Sequence, residues 1–171
     1  MVKITHAMLE YKGKMFLKNT KKCSVVVTDY RKVTLHENPD VFGINASAKT
    51  YMIECKVSKA DFRNDHKKRH RKNINKGLGN YRYMMCPKDL ISKRDMLPHY
   101  KGWGLLYFDG RSVTQIKRPT VFKLTEPVEN LNILLQIIRS VYHGWDTEKI
   151  FVRKVVNKKY KEKKQKALLN K

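Results

Sequence analysis

Asp40, Glu54 and Lys56 are the residues whose types and spacing offer this chain a chemistry. They bracket the stretch PDVFGINASAKTYMIECK, residues 39–56, in which DVFGIN and TYMIECKV read as strands joined by the short polar loop ASAK. Side chains alternate along a strand, so Glu54 and Lys56 share one face of the second strand while Ile53, Cys55 and Val57 take the other. A hairpin folded about Ser47 sets Asp40 opposite Glu54, because both lie equally far from the turn, and directly opposed residues have Cβ atoms about 4.5–5.5 Å apart. Two carboxylates that close repel each other unless a proton or a cation intervenes. Mg2+ is a hard cation that takes oxygen ligands, commonly one or two carboxylates with waters and phosphate oxygens. Asp40, Glu54 and the backbone carbonyl of Cys55 make a protein half-shell of that kind. Lys56 beside it is placed to orient an attacking water and to stabilise charge building on phosphorus. Phosphodiester hydrolysis is the chemistry that fits, with Mn2+ able to replace Mg2+.

The elements that must position these residues are legible on either side. Residues 4–18 read as an amphipathic helix with Ile4, Ala7, Met8, Tyr11, Met15 and Phe16 on or near one face. CSVVVTDYRKV, with its β-branched run, reads as a strand before the hairpin. Ser58 followed three residues later by Asp61 marks a helix start directly after Lys56. Beyond it, YRYMMCP is a strand stopped by Pro87, and GWGLLYF and RSVTQIKR flank the hairpin signal Asp109-Gly110. Pro127 opens a helix whose Leu131, Leu134, Leu135, Ile138 and Val141 form a stripe ending near Gly144. From Asp146 the chain reads as a basic helix or loose tail. The order predicts an α/β protein: one domain over residues 1–145 with a central mixed β-sheet flanked by helices, and a basic extension over 146–171.

Charge bounds the partners. The chain of 171 residues has 38 Lys plus Arg against 15 Asp plus Glu, a formal net charge of +23, alongside 41% hydrophobic residues. That is a domain with a core rather than a disordered basic tail, and its charge points to a polyanion, of which nucleic acid is the commonest. Cys23, Cys55 and Cys86 lack a CxxC pair, against both a disulfide framework and a structural zinc site. No apolar run approaches a membrane span and the N-terminus lacks a signal-peptide core, so the expectation is a cytoplasmic protein of a bacterium or a phage, with no membrane partner.

Pro39-Asp40 followed by Glu54-x-Lys56 on the next strand resembles the signature of the PD-(D/E)XK nuclease superfamily, which includes restriction enzymes, junction resolvases and repair nucleases. The run IECKVSKADFRNDHK resembles the matching segment of the MmcB-like DNA repair branch, as do YRYMMCP and the later Leu97, Pro98 and Gly104 to Phe108. The similarity spans roughly residues 4–120. It implies a restriction-endonuclease-like core, a metal-binding Asp40 and Glu54 and a catalytic Lys56. It also implies a further acid from the first helix, for which Glu10 is the candidate, and an accessory polar residue after Lys56, for which Asp61, Asp65 and Lys68 are candidates. Relatives that cut both strands act as dimers, so a homodimer is a further expectation. The heavy basic load departs from the family.

That load includes Lys67, Lys68, Arg69, Arg71 and Lys72 after the motif and Lys158, Lys159, Lys163 and Lys164 in the tail, a phosphate-contact surface without sequence readout of its own. His66 and His70, one helical turn apart, read as part of that basic face rather than as metal ligands. Tyr81, Tyr83, Trp103 and Tyr107 lie in or beside strand runs and read as core rather than as a stacking platform for bases. Two function classes follow: a metal-dependent DNA nuclease, with RNA as the other candidate target, or a non-catalytic basic protein that packages or chaperones nucleic acid. Both account for the charge. The first also accounts for scarce acids converging at one hairpin, where a pure polyanion binder would lose affinity.

Overall fold

In the computed structural model, which describes residues 3–28, 38–68, 71, 77–97 and 99–123, the chain runs α1 (His6–Asn19), β1 (Cys23–Thr28), β2 (Val41–Asn45), β3 (Thr50–Cys55), α2 (Lys59–Asp65), β4 (Tyr81–Pro87), β5 (Gly104–Phe108) and β6 (Val113–Lys117). The strands form one six-stranded sheet in the order β1-β2-β3-β4-β5-β6. Neighbours β1–β2, β2–β3 and β5–β6 are antiparallel, whereas β3–β4 and β4–β5 are parallel. This is the α/β domain with a mixed sheet that the element order predicts. The helix expected from Pro127, the boundary at 145 and the basic extension lie outside the described residues.

The β2–β3 hairpin is fixed by its loop. Asn45 Oδ1 accepts from the backbone N–H groups of Ser47 and Lys49 at 3.1 and 3.0 Å, and Ala48 takes the left-handed conformation that closes the turn, φ 56°. The register pairs Val41 with Ile53 and Phe42 with Met52, which folds the hairpin about Ser47 as expected. At the other hairpin Asp109 Oδ1 accepts from the N–H groups of Arg111 and Ser112, both at 2.8 Å.

Alternation along β3 divides the core. Tyr51, Ile53 and Cys55 join Leu9, Phe16, Leu17, Val41, Tyr83, Met85, Leu106 and Phe108 under α1. Met52 joins Phe42, Phe62, Met84, Ile91, Met96, Tyr100, Trp103 and Leu105 on the opposite side, beneath α2 and the β4–β5 connection. The helical face is rotated from the expected one: Phe16 is buried and Ile4 and Met8 pack against the core as expected, but Leu9, Gly13 and Leu17 are buried as well while Tyr11 is 60% exposed. Gly13 explains the rotation. A Cβ there would stand 3.1 Å from Val41 Cγ2 and 3.3 Å from Ile53 Cδ1, so the helix lies close against the sheet at a residue that carries no hydrophobic signal. Leu9 and Leu17, each 0% exposed, supply roughly 1.5–3 kcal/mol apiece of burial. Among the described residues no helix is long and apolar enough to cross a membrane.

Candidate active site

Extending the β2–β3 register by one residue sets Asp40 across from Glu54, yet the two carboxylates serve different sides of the sheet. Asp40 turns to the α1 edge. Its Oδ2 accepts the Cys55 N–H at 2.6 Å and stands 3.4 Å from His6 Nε2. Glu10, one helical turn on from His6, brings Oε1 to 3.6 Å from His6 Nδ1. His6, Glu10 and Asp40, all half-buried, can each offer one ligand atom within 4.8 Å of the others. The structure thus brings the first-helix acid to Asp40. At Cys55 it is the peptide N–H, rather than the carbonyl, that meets the Asp40 carboxylate.

Glu54 and Lys56 lie on the α2 side and are only 3% exposed each. Alternation predicts their shared face, and Lys56 Nζ lies 3.6 Å from Glu54 Oε2. Asp61 and Asp65 of α2 stand against Lys56, and Arg71 beyond it stands against Glu54. Ser58 caps this helix, its Oγ accepting the Asp61 N–H at 3.1 Å, and the chain then doubles back so that Asp65 arrives over the strand end. Asp65, 1% exposed, accepts from Lys56 Nζ at 2.9 Å, from Arg71 Nε at 2.8 Å and from the Tyr100 hydroxyl at 2.9 Å. Lys68 Nζ adds an ion pair with it at 2.7 Å. Arg71 also reaches Glu54, with Nη2 3.1 Å from Oε1, and lies over the Trp103 ring at 4.7 Å.

These partners decide where the charges rest. Burial pushes the Glu54 carboxyl up to about 7, with Arg71 and Lys56 pulling it down and the Asp40 charge pushing it further up. Burial would lower the Lys56 ammonium, but Glu54 and Asp65 outweigh that and hold it above its ordinary value. For Asp65 burial is likewise outweighed, by Arg71, Lys68 and Lys56, and the carboxyl stays well below the usual carboxylate range. The pair at Glu54 and Lys56 is therefore part of a buried charge network and not a surface salt bridge.

The remaining expected residues fall as follows. Asp61 is exposed, with Oδ1 3.7 Å from Lys56 Nζ. Lys67 and Lys68 are exposed on the basic face, whereas Arg71 turns inward and belongs to the network rather than to that face. His66 stacks on His99 with ring centroids 4.2 Å apart. Tyr83 and Trp103 are buried in the core, and Tyr81 and Tyr107 pack against it. Arg69, His70, Lys72, Lys158, Lys159, Lys163 and Lys164 lie outside the described residues. Sequence reasoning did not single out His6 or Tyr100. His6 stands one helical turn before Glu10, and that spacing is the signal that pairs them; Tyr100 has no local signal.

No protein-family model matches the chain, and no curated protein matches it. Among solved structures it resembles the SPO1766 protein of unknown function from Silicibacter pomeroyi, with a TM-score of 0.61 and 18% identity over 83% of this chain and 90% of that one. At that identity the likeness is one of fold alone.

Proposed function

We propose that this chain is a metal-dependent nuclease that hydrolyses phosphodiester bonds in DNA, built on the PD-(D/E)XK plan. The observation that carries the reading is the convergence of Asp40 with Glu10 at the α1 edge, while its charge is also felt by Glu54 on the strand beside it. Acids are scarce in this chain, 15 against 38 basic residues, yet two of them, Glu10 and Asp40, meet at this edge. The order of α1, the β2–β3 hairpin and α2, with Lys56 directly after β3, is the order expected of the superfamily and supports the same reading.

Asp40 and Glu10 are the residues that would hold a Mg2+ or Mn2+ ion; a cation held there would polarise a phosphate oxygen and acidify a bound water. Asp40 is pre-oriented by the Cys55 N–H, the role that outer partners play at metal centres. Lys56 is kept protonated and in place by Glu54 and Asp65, so its positive charge is fixed before a phosphate arrives and needs no reorganisation to stabilise charge developing there. Exposed Lys67 and Lys68 supply backbone contacts. Three buried, unpaired thiols fit a cytoplasmic setting.

The test is cleavage of labelled linear, branched and single-stranded DNA with Mg2+, Mn2+ or EDTA, beside the Asp40→Asn variant. Metal-dependent cutting lost in the variant is the expected result, and the substrate that is cut names the target class. Tight, salt-sensitive binding with no cutting under any metal would replace this reading with the packaging one.

A further inference from the structure

A site made for magnesium calls for oxygen ligands, yet the α1 edge presents an imidazole between its two carboxylates. His6 is the first residue of α1. Thr5 caps that helix, its Oγ1 accepting the Met8 N–H at 3.3 Å, which fixes the first turn, and the helical spacing then stacks Glu10 on the same face. The imidazole edges are both engaged: Nδ1 lies 3.6 Å from Glu10 Oε1 and Nε2 lies 3.4 Å from Asp40 Oδ2.

We propose that His6 is a ligand alongside Glu10 and Asp40, and that the three hold a d-block divalent cation of the Mn2+ class in preference to Mg2+. This rests on reading the α1 edge as a metal centre. Ligand atoms about 2.1 Å from a shared cation stand roughly 3–3.4 Å from each other, and His6 Nε2 and Asp40 Oδ2 are already at that separation. Imidazole nitrogen is a ligand of first-row d-block cations, whereas Mg2+ favours carboxylate, phosphate and water oxygens; Mn2+ is the member of that row suited to a set that is otherwise carboxylate and water. As plain ion pairs these contacts explain less. His6 is 42% exposed, and pairs at that exposure contribute little to stability. Two carboxylates converge on this imidazole in a chain offering them 38 lysines and arginines. One imidazole and two carboxylates leave positions on the cation for water and a phosphate oxygen, as the proposed chemistry requires.

The experiment uses the full chain stripped with EDTA and titrated with Mn2+, free Mn2+ being read by its EPR signal, with Mg2+ as competitor. The wild type is expected to bind one Mn2+ at least about tenfold more tightly than Mg2+, and its pulsed EPR spectrum to carry a nitrogen modulation. Losing an outer partner alone costs about 10- to 100-fold in metal affinity, so His6→Ala is expected to lose at least that much for Mn2+, and to lose the modulation, while Mg2+ binding stays within about twofold. Glu10→Gln is expected to weaken both metals. A thermal melt of each variant verifies folding. Equal affinity of the wild type for the two metals, failure to bind Mn2+, or a nitrogen modulation unchanged in a folded His6→Ala variant would overturn the proposal. Cleavage is scored separately: His6-dependent Mn2+ binding without cutting sinks the nuclease reading and leaves this one, and Mg2+-supported cutting indifferent to His6 does the reverse.

Discussion

Asp65 concentrates the energetic risk of the site. It is buried with donors from Lys56, Arg71 and Tyr100 around it, and removing the charge from such a set strands cations in a poorly solvated place. Asp65→Asn is therefore expected to destabilise the protein by roughly 3–5 kcal/mol at neutral pH. The pH dependence follows from the direction of the shift. The folded carboxyl is held well below its ordinary 3.8, so on acidification the unfolded chain takes up the proton first. The stability Asp65 contributes is complete above about pH 5 and drains away below it. Urea melts of wild type and variant at pH 7 and near pH 3 should show a large gap closing as the pH falls; a gap constant over that range would mean that packing rather than charge is lost. The same network makes Lys56 a poor sole test of chemistry. Lys56→Ala is expected to lose cleavage and also stability, about 1–3 kcal/mol, by taking one cation from two buried carboxylates that then rely on Arg71. Asp40, outside that network, is the cleaner probe, since Asp40→Asn removes a carboxylate and keeps the shape. Circular-dichroism melts run beside the cleavage assay separate the two, and an unchanged melting temperature in Lys56→Ala would contradict the network.

At the scale of elements, the α1–sheet contact governs the site, because α1 carries His6 and Glu10 while β2 follows Asp40. Gly13→Leu places a side chain where even a Cβ would meet Val41 and Ile53 at 3.1 and 3.3 Å. Overpacking of this kind costs about 1–3 kcal/mol, and here it also lifts the helix from the hairpin. Stability and metal affinity are expected to fall together, whereas the same substitution at exposed Tyr11 leaves both unchanged; calorimetric melts and Mn2+ titration of the two variants check this. Gly13 also shows what was legible beforehand. Strands, hairpin turns and the Ser58 cap were readable because each rests on local chemistry: β-branched runs, Asp109-Gly110, a serine that accepts the Asp61 N–H. The register about Ser47 followed from loop symmetry. The buried face of α1 is rotated from the one its apolar residues mark, because glycine at a close approach leaves no apolar signal, although Ile4, Met8 and Phe16 keep their expected side. The Glu54–Arg71–Asp65–Tyr100 network was hidden because its members come from β3, from the end of α2 and beyond it, and from the β4–β5 connection, and periodicity within one element does not reach across that distance. His6 was passed over for a related reason: its partner Asp40 comes from another element.

For the whole molecule the question is how a strongly cationic chain keeps an acidic cluster useful. A net charge of +23 draws a polyanion from a distance, and carboxylates at the surface it meets oppose the last step of approach unless a cation offsets them. Asp40→Asn is therefore expected to bind DNA at least as tightly as wild type in EDTA, with an unchanged salt dependence. Lysines that meet phosphates behave differently, since each neutralised phosphate contributes about 0.9 to the slope of log affinity against log salt on duplex DNA. Replacing Lys158, Lys159, Lys163 and Lys164 by Gln removes up to four such contributions. Fluorescence anisotropy between about 50 and 200 mM salt is expected to show a shallower slope and weaker binding to every sequence alike, with cleavage at saturating enzyme preserved. A slope identical to wild type would mean that these four lysines touch no phosphate. The anchoring would then fall to the basic face after α2, where Lys67 and Lys68 stand exposed and Lys68 pairs with Asp65, and the same measurement on Lys67→Gln with Lys68→Gln would show the loss instead.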